Sequence, residues 1–125
     1  MRVFLVEDLP AVRTLVIENL EEIEGLKLAG FAETQDGAVS WLSSHECEVL
    51  ILDLELKQGN GMGVLKQLAA SGARPGLVKI IYSNHVGPNI RRVATKLGAE
   101  HFFDKSLDTP QLRMLLEQLS AQRGS

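Results

Sequence analysis

Four places in this sequence hold side chains able to do chemistry, and each follows an apolar run. Glu7 and Asp8 follow residues 3–6, Asp53 follows residues 49–52, Ser83 follows residues 77–82, and Lys105 comes soon after residues 101–103. Each has an ordinary explanation. Acids favour the positive end of a following helix by about 0.3–1 kcal/mol. A serine is a frequent turn or cap residue, and a lysine is usually solvated. An acid directly behind Val49-Leu50-Ile51-Leu52 is less usual. What these explanations leave unexplained is the coincidence at four such ends.

Brought together, these groups have a definite chemistry. Three carboxylates about 5 Å apart repel by ~3 kcal/mol per pair at an effective dielectric of about 20. Lys105 leaves most of that charge uncompensated, so a divalent cation is expected. The donors are all oxygen, with no Cys or His pair at metal spacing, which selects a hard ion such as Mg²⁺. A carboxylate beside such an ion, a lysine and a hydroxyl can accept a phosphoryl group. Asp53 is then the nucleophile, and the cation and Lys105 neutralise the phosphoryl oxygens.

The elements that must position these groups are legible as two alternating patterns. Continuous apolar runs at 3–6, 48–52, 77–82 and 101–103, with a weaker one at 26–32, read as buried strands. Between them, apolar residues at helical spacing predict helices. The first follows Pro10 through Val12, Leu15, Val16 and Leu20; the second is marked by Ala38, Trp41 and Leu42. The third carries Val64, Leu65 and Leu68 after the Gly59-Asn60-Gly61 turn. Pro88 opens the fourth, with Ile90, Val93, Ala94 and Leu97 inward. Thr109 is expected to cap the fifth, with Pro110 in its first turn and Leu112, Leu115, Leu116 and Leu119 as its buried stripe. Five such units imply an α/β fold with a parallel sheet covered on both faces. Ligands of such sheets bind beyond the carboxyl ends of the strands, where the four sites lie.

Composition narrows the class. The chain has 125 residues, which is about one domain. It carries 13 Lys+Arg against 16 Asp+Glu, which argues against a nucleic-acid binder. A single cysteine, Cys47, allows no internal disulfide. No apolar run approaches the ~20 residues of a membrane span, and the N-terminus lacks the features of a signal peptide. A cytoplasmic protein without membrane or nucleic-acid partners is expected.

With these residues in place, the sequence resembles the receiver domain of two-component response regulators. The matching pieces are Val6-Glu7-Asp8, Asp53-Leu54 with Gly61, Ser83, and Gly98-Ala99 with Phe102 and Lys105. The resemblance implies a flavodoxin-like, doubly wound, five-stranded parallel sheet of order 2-1-3-4-5 with five helices. It implies that Asp53 is the phospho-acceptor and that Asp8 is a direct Mg²⁺ ligand, with Glu7 assisting through water. The Glu55 backbone carbonyl matches a further ligand position. Ser83 and Lys105 match the switch hydroxyl and the phosphate-pairing lysine, and Phe102 the aromatic switch. The phosphoryl donor would be a phosphohistidine on a sensor histidine kinase or a histidine phosphotransfer protein. Output would pass to a downstream protein target, with homodimerisation on phosphorylation left open. The expected layout is a receiver over residues 1–121 and a short polar tail over 122–125, acting in a phosphorelay as a stand-alone response regulator without an output domain.

Departures from the family pattern stand at Lys57 and Ser106, where proline is common, and at Asn84, where a small residue is usual. Lys57, Asn84 and His85 are therefore candidates for tuning the reaction. Without proline the Lys105–Ser106 peptide is costlier in cis, so its isomer is open. Arg91, Arg92 and Lys96 form either a solvated face or a contact surface on the fourth helix. Two alternatives stand beside this reading. One is a receiver-like interaction module that is never phosphorylated. The other is a flavin-binding protein, whose phosphate loop Glu7-Asp8-Leu9-Pro10 would repel.

Overall fold

The computed structural model describes residues 1–72, 74–84 and 86–124. Ten elements alternate along the chain. They are β1 (Arg2–Val6), α1 (Pro10–Glu21), β2 (Lys27–Ala32), α2 (Gln35–Ser44) and β3 (Val49–Leu52), then α3 (Gly61–Ala70), β4 (Val78–Ser83), α4 (Pro88–Lys96), β5 (His101–Asp104) and α5 (Thr109–Gly124). All strand pairs are parallel, and the sheet order is β2-β1-β3-β4-β5.

The continuous apolar runs have a direct cause. Successive side chains of a strand point to opposite faces, and both faces here are covered. Phe4, Val6, Leu50, Leu52 and Ile81 pack with Ala38, Leu42, Val64, Leu65, Leu68 and Ala94 on the side of α2, α3 and α4. Val3, Leu5, Val49, Ile51, Ile80 and Tyr82 pack with Val16, Leu20, Leu112 and Leu116 on the side of α1 and α5. Trp41 belongs to the first cluster. It stacks on Phe4 at 4.0 Å and on His45 at 4.4 Å between centroids.

Register then sets the site. Val6 pairs with Leu52, and Leu52 with Ile81. Glu7 and Asp53 therefore leave the sheet side by side, and the Asp53 amide donates to the Val6 carbonyl at 3.0 Å. Ser83 pairs with Asp104 at the end of β4 and β5, which brings Lys105 next to it.

Helix starts follow local chemistry. Thr34 caps α2 by accepting from the Gly37 amide, and Asn60 caps α3 by accepting from the Gly63 amide. Thr109 differs from its expected role. It lies inside the first turn of α5, and its hydroxyl donates to the Lys105 carbonyl and meets the Tyr82 hydroxyl at 2.6 Å. A threonine hydroxyl that finds a carbonyl four residues back remains inside the helix. At its other end α5 continues to Gly124, through residues read from sequence as tail. On α4, Ile90 and Val93 are exposed although spacing placed them inward. Only Ala94 is fully buried there, because a broad apolar stripe does not say which of its edges meets the sheet. Leu15 on α1 is exposed for the same reason. Among the described residues no helix is long and apolar enough to cross a membrane.

Candidate functional site

Five functional side chains meet beyond the carboxyl ends of β1, β3, β4 and β5. Asp53 is 3 % exposed and lies at the centre. Its Oδ1 accepts from the Ser83 hydroxyl at 2.6 Å and from the Glu55 amide at 3.1 Å. Its Oδ2 accepts from Lys105 Nζ at 2.7 Å. Lys105 also pairs with Glu7 Oε1 at 2.6 Å, so one ammonium bridges two buried carboxylates. Glu7 Oε2 accepts from the Leu9 amide. Each oxygen of Glu7 thus already accepts one contact.

The electrostatics follow from burial. Burial pushes the Glu7 carboxyl above its usual range, and the hydrogen bonds from Lys105 and Leu9 offset this only in part. Burial acts to lower the Lys105 ammonium, but its hydrogen bonds to Asp53 and Glu7 outweigh that and hold it above its ordinary value. Burial thus raises the Glu7 carboxyl, and its two carboxylate partners hold Lys105 in its charged form.

Ligand oxygens of Glu7, Asp8 and Asp53 lie within 4.8 Å of one another. Asp8 is half-buried, and among the described residues nothing donates to its carboxylate. An all-oxygen set with one partly solvated carboxylate and a single balancing ammonium fits a hard divalent cation. The backbone is tight behind it. A Cβ on Gly61 would lie 2.4 Å from the Asp53 carbonyl oxygen and 2.9 Å from Leu54 Cα, so glycine is required there.

The remaining candidates are more scattered. Glu55 is exposed, with its backbone held against Asp53 through its amide. Lys57 is exposed and pairs with Glu33 at 3.1 Å rather than with the acidic cluster. Asn84 is exposed, and His85 lies outside the described residues. Phe102 is half-buried under the Arg91 guanidinium, 4.8 Å from its ring. Phe102, Arg91 and Ser83 line a cavity of about 90 Å³. The Lys105–Ser106 peptide is trans. In place of proline, the Ser106 amide and hydroxyl both donate to Asp104 Oδ1.

Sequence reasoning missed several supporting residues. Arg13 donates to the Glu7 carbonyl at 3.2 Å and pairs with Glu33 at 3.0 Å. Gln35 accepts from the Asn60 amide, and Gln58 accepts from the Asp36 amide. Most of these partners come from different β-α units, and the one local contact, Arg13 to Glu7, runs to a backbone carbonyl that carries no sequence signal.

Comparison with known proteins agrees with this fold. The family model described as response regulator receiver domain matches residues 3–117. Over 124 residues, 98% of this chain and 35% of the other, the chain is 31% identical to protein-glutamate methylesterase/protein-glutamine glutaminase 5 of Myxococcus xanthus. It is 23% identical over 116 residues, 93% of this chain and 50% of the other, to the probable C4-dicarboxylate response regulator DctR of Priestia megaterium. The chain thus spans half or less of these relatives' length. In three dimensions it is similar to the response regulator domain of Thermotoga maritima CheB, with a TM-score of 0.81 and 25% identity, covering 98% of this chain and 94% of that one. A five-stranded sheet of this order, carrying a paired aspartate at the end of its central strand and matched along nearly its whole length, makes this chain a member of the response regulator receiver domain family.

Proposed function

We propose that the chain accepts a phosphoryl group on Asp53 and passes the signal on by protein contact. The observation that carries this is the convergence of Ser83 and Lys105 on one buried carboxylate. In the forward step an Asp53 oxygen attacks the phosphorus of a partner's phosphohistidine. The P–O bond forms, the P–N bond breaks, and the imidazole leaves with its electron pair. Ser83 and Lys105 then turn their protons from the Asp53 oxygens to the phosphoryl oxygens. Only these two donors re-aim, and they compensate the charge on the phosphoryl oxygens. In a separate later step water attacks phosphorus, the P–O bond to Asp53 breaks, the carboxylate leaves with its electron pair, and inorganic phosphate is released.

Mg²⁺ fits the donor set, with Asp8 and Asp53 as carboxylate ligands, the Glu55 carbonyl as a backbone ligand and Glu7 through water. Its chemistry there is to neutralise the transferring oxygens. Nothing in the sequence resembles an ATP-binding loop of the Gly-rich Lys-Ser/Thr type, so the phosphoryl group comes from a histidine kinase or a histidine phosphotransfer protein.

The test is incubation with a small-molecule phosphodonor and Mg²⁺, read by intact mass. Wild type should gain one phosphoryl group and Asp53→Asn none. Labelling of Asp53→Asn at the wild-type level would refute the site.

A further inference from the structure

Between the two acidic loops stands a turn that carries no candidate ligand. It begins at Glu33, just past β2. Glu33 Oε1 is 3.0 Å from Arg13 Nη1, and its Oε2 is 3.1 Å from Lys57 Nζ. The same Arg13 nitrogen donates to the carbonyl of Glu7, the peptide that leads into Asp8. The Arg13 guanidinium lies 4.6 Å over the Phe31 ring, and its side chain is only 13% exposed. This arm is therefore largely withdrawn from solvent screening.

The next residues of the turn hold the loop that follows Asp53. The Gln35 amide donates to the Gln58 carbonyl, and the Asn60 amide donates to Gln35 Oε1. The Asp36 amide donates to Gln58 Oε1, and Gln58 Nε2 donates back to Asp36 Oδ2. Gly59 and Gly63 make the room. A Cβ on either would lie 2.3 Å from Gln35 Oε1.

We infer that this turn, which begins at Glu33, is a positioning device for the divalent-cation site. Through Arg13 it fixes the Glu7–Asp8 peptide. Through Lys57, Gln58 and Asn60 it fixes the loop carrying Glu55. Arg13, Glu33 and Lys57 touch no ion themselves; they set the distance between two ligand-bearing loops. The inference rests on the cation site proposed above.

The competing explanation is purely Coulombic, and the two differ in sign. Removing a cation near an acidic cluster should tighten Mg²⁺ binding if charge acts only through space. It should weaken binding if the cation positions a ligand loop. The experiment is calorimetric Mg²⁺ titration of wild type, Lys57→Gln and Arg13→Lys, with melting temperatures in EDTA as the folding control. Outer partners of metal ligands commonly change affinity by ten-fold or more. Acting one step further out, Arg13→Lys should weaken binding about threefold and Lys57→Gln about twofold. Arg13→Lys keeps the charge and loses only the fork geometry, so Coulomb's law alone predicts no change. Lys57 is exposed, so its variant folds even if Arg13→Lys does not. Equal or tighter binding by Lys57→Gln, or unchanged binding by a folded Arg13→Lys, overturns the inference. Absence of Mg²⁺ binding by wild type overturns the cation site itself and the inference with it, whereas normal wild-type binding with unmoved variants overturns the inference alone.

Discussion

The Ser83 hydroxyl lies 2.6 Å from Asp53 Oδ1, with both side chains buried. The hydroxyl is therefore already turned into the site before any phosphoryl group arrives. It also accepts weakly from the Leu54 amide at 3.4 Å, which helps hold that orientation. Ser83→Ala leaves Oδ1 with the Glu55 amide alone. Loss of one prepositioned donor should slow phosphorylation by about a hundred- to a thousandfold. Stability should fall by only about 1 kcal/mol, because the carboxylate keeps its other partners. The rate of mass gain with a small phosphodonor measures the first, and a urea melt the second. Labelling at the wild-type rate would remove Ser83 from the mechanism.

Lys105 is the only described counter-charge recorded on both Glu7 and Asp53, and all three side chains are less than a tenth exposed. Lys105→Met keeps the volume and removes the charge. Two buried carboxylates then face each other unpaired, which should cost about 3–5 kcal/mol in EDTA. Millimolar Mg²⁺ should restore part of that loss, since an ion that binds only the folded state stabilises it by mass action. Urea denaturation in EDTA and in Mg²⁺ compares the two. An equal loss in both would mean that the cation does not bind among these acids.

The pH dependence of the cation-free protein isolates Glu7. Burial holds its folded-state carboxyl above the ordinary 4.5. Between 4.5 and that raised value the folded chain keeps a proton that the unfolded chain has lost. The favourable contribution is thus complete below 4.5 and is lost as pH rises through the raised value. Glu7→Gln mimics the protonated form at every pH. In EDTA, the stability of Glu7→Gln relative to wild type should therefore climb as pH rises past 4.5. Glu33 and Glu48 shift downward, but they are common to both proteins and cancel. Melting temperatures from pH 4 to 8 give the difference directly. A flat or falling difference would show that burial does not raise the Glu7 carboxyl.

Much of this arrangement is legible in the sequence because it rests on local patterns. A strand buried on both faces must be apolar throughout, so residues 49–52 announce themselves and mark Asp53 as the residue where the sheet ends. The strand order that the family resemblance supplies, together with the parallel register, then brings Glu7, Ser83 and Lys105 to the same edge. The supporting shell is different. Arg13, Glu33 and Lys57 come from three separate segments, and each alone looks like a solvated charge. Only the folded chain shows that one carboxylate stands between two cations. Thr109 lies inside α5 rather than capping it, since its hydroxyl bonds the Lys105 carbonyl and the Tyr82 hydroxyl, and the second of these partners is tertiary. Ile90 and Val93 face solvent, and spacing alone does not show it, because periodicity reports an apolar stripe and not which edge of it meets the sheet.

Gly61 and Gly72 separate two reasons for glycine. At Gly61 the obstacle is space. An added Cβ would meet the Asp53 carbonyl oxygen, Leu54 Cα and the Asp53 carbonyl carbon, all of them backbone. Nothing there can rotate away, so the chain holding Asp53 must move. At Gly72 nothing among the described residues lies within 4 Å, and the obstacle is a φ of +110°. Gly72→Ala should therefore cost about 1 kcal/mol from backbone strain and leave phosphoryl labelling at the wild-type rate. Gly61→Ala should destabilise by more than that. It should also lower the labelling rate of the folded fraction, because the Gly61 amide that donates to the Leu54 carbonyl ties this turn to the residue after Asp53. Intact-mass kinetics on both variants, at a temperature where each is folded, make the comparison. Equal labelling by the two would show that Asp53 tolerates displacement of its own backbone, and the close fit behind it would then have no part in the reaction.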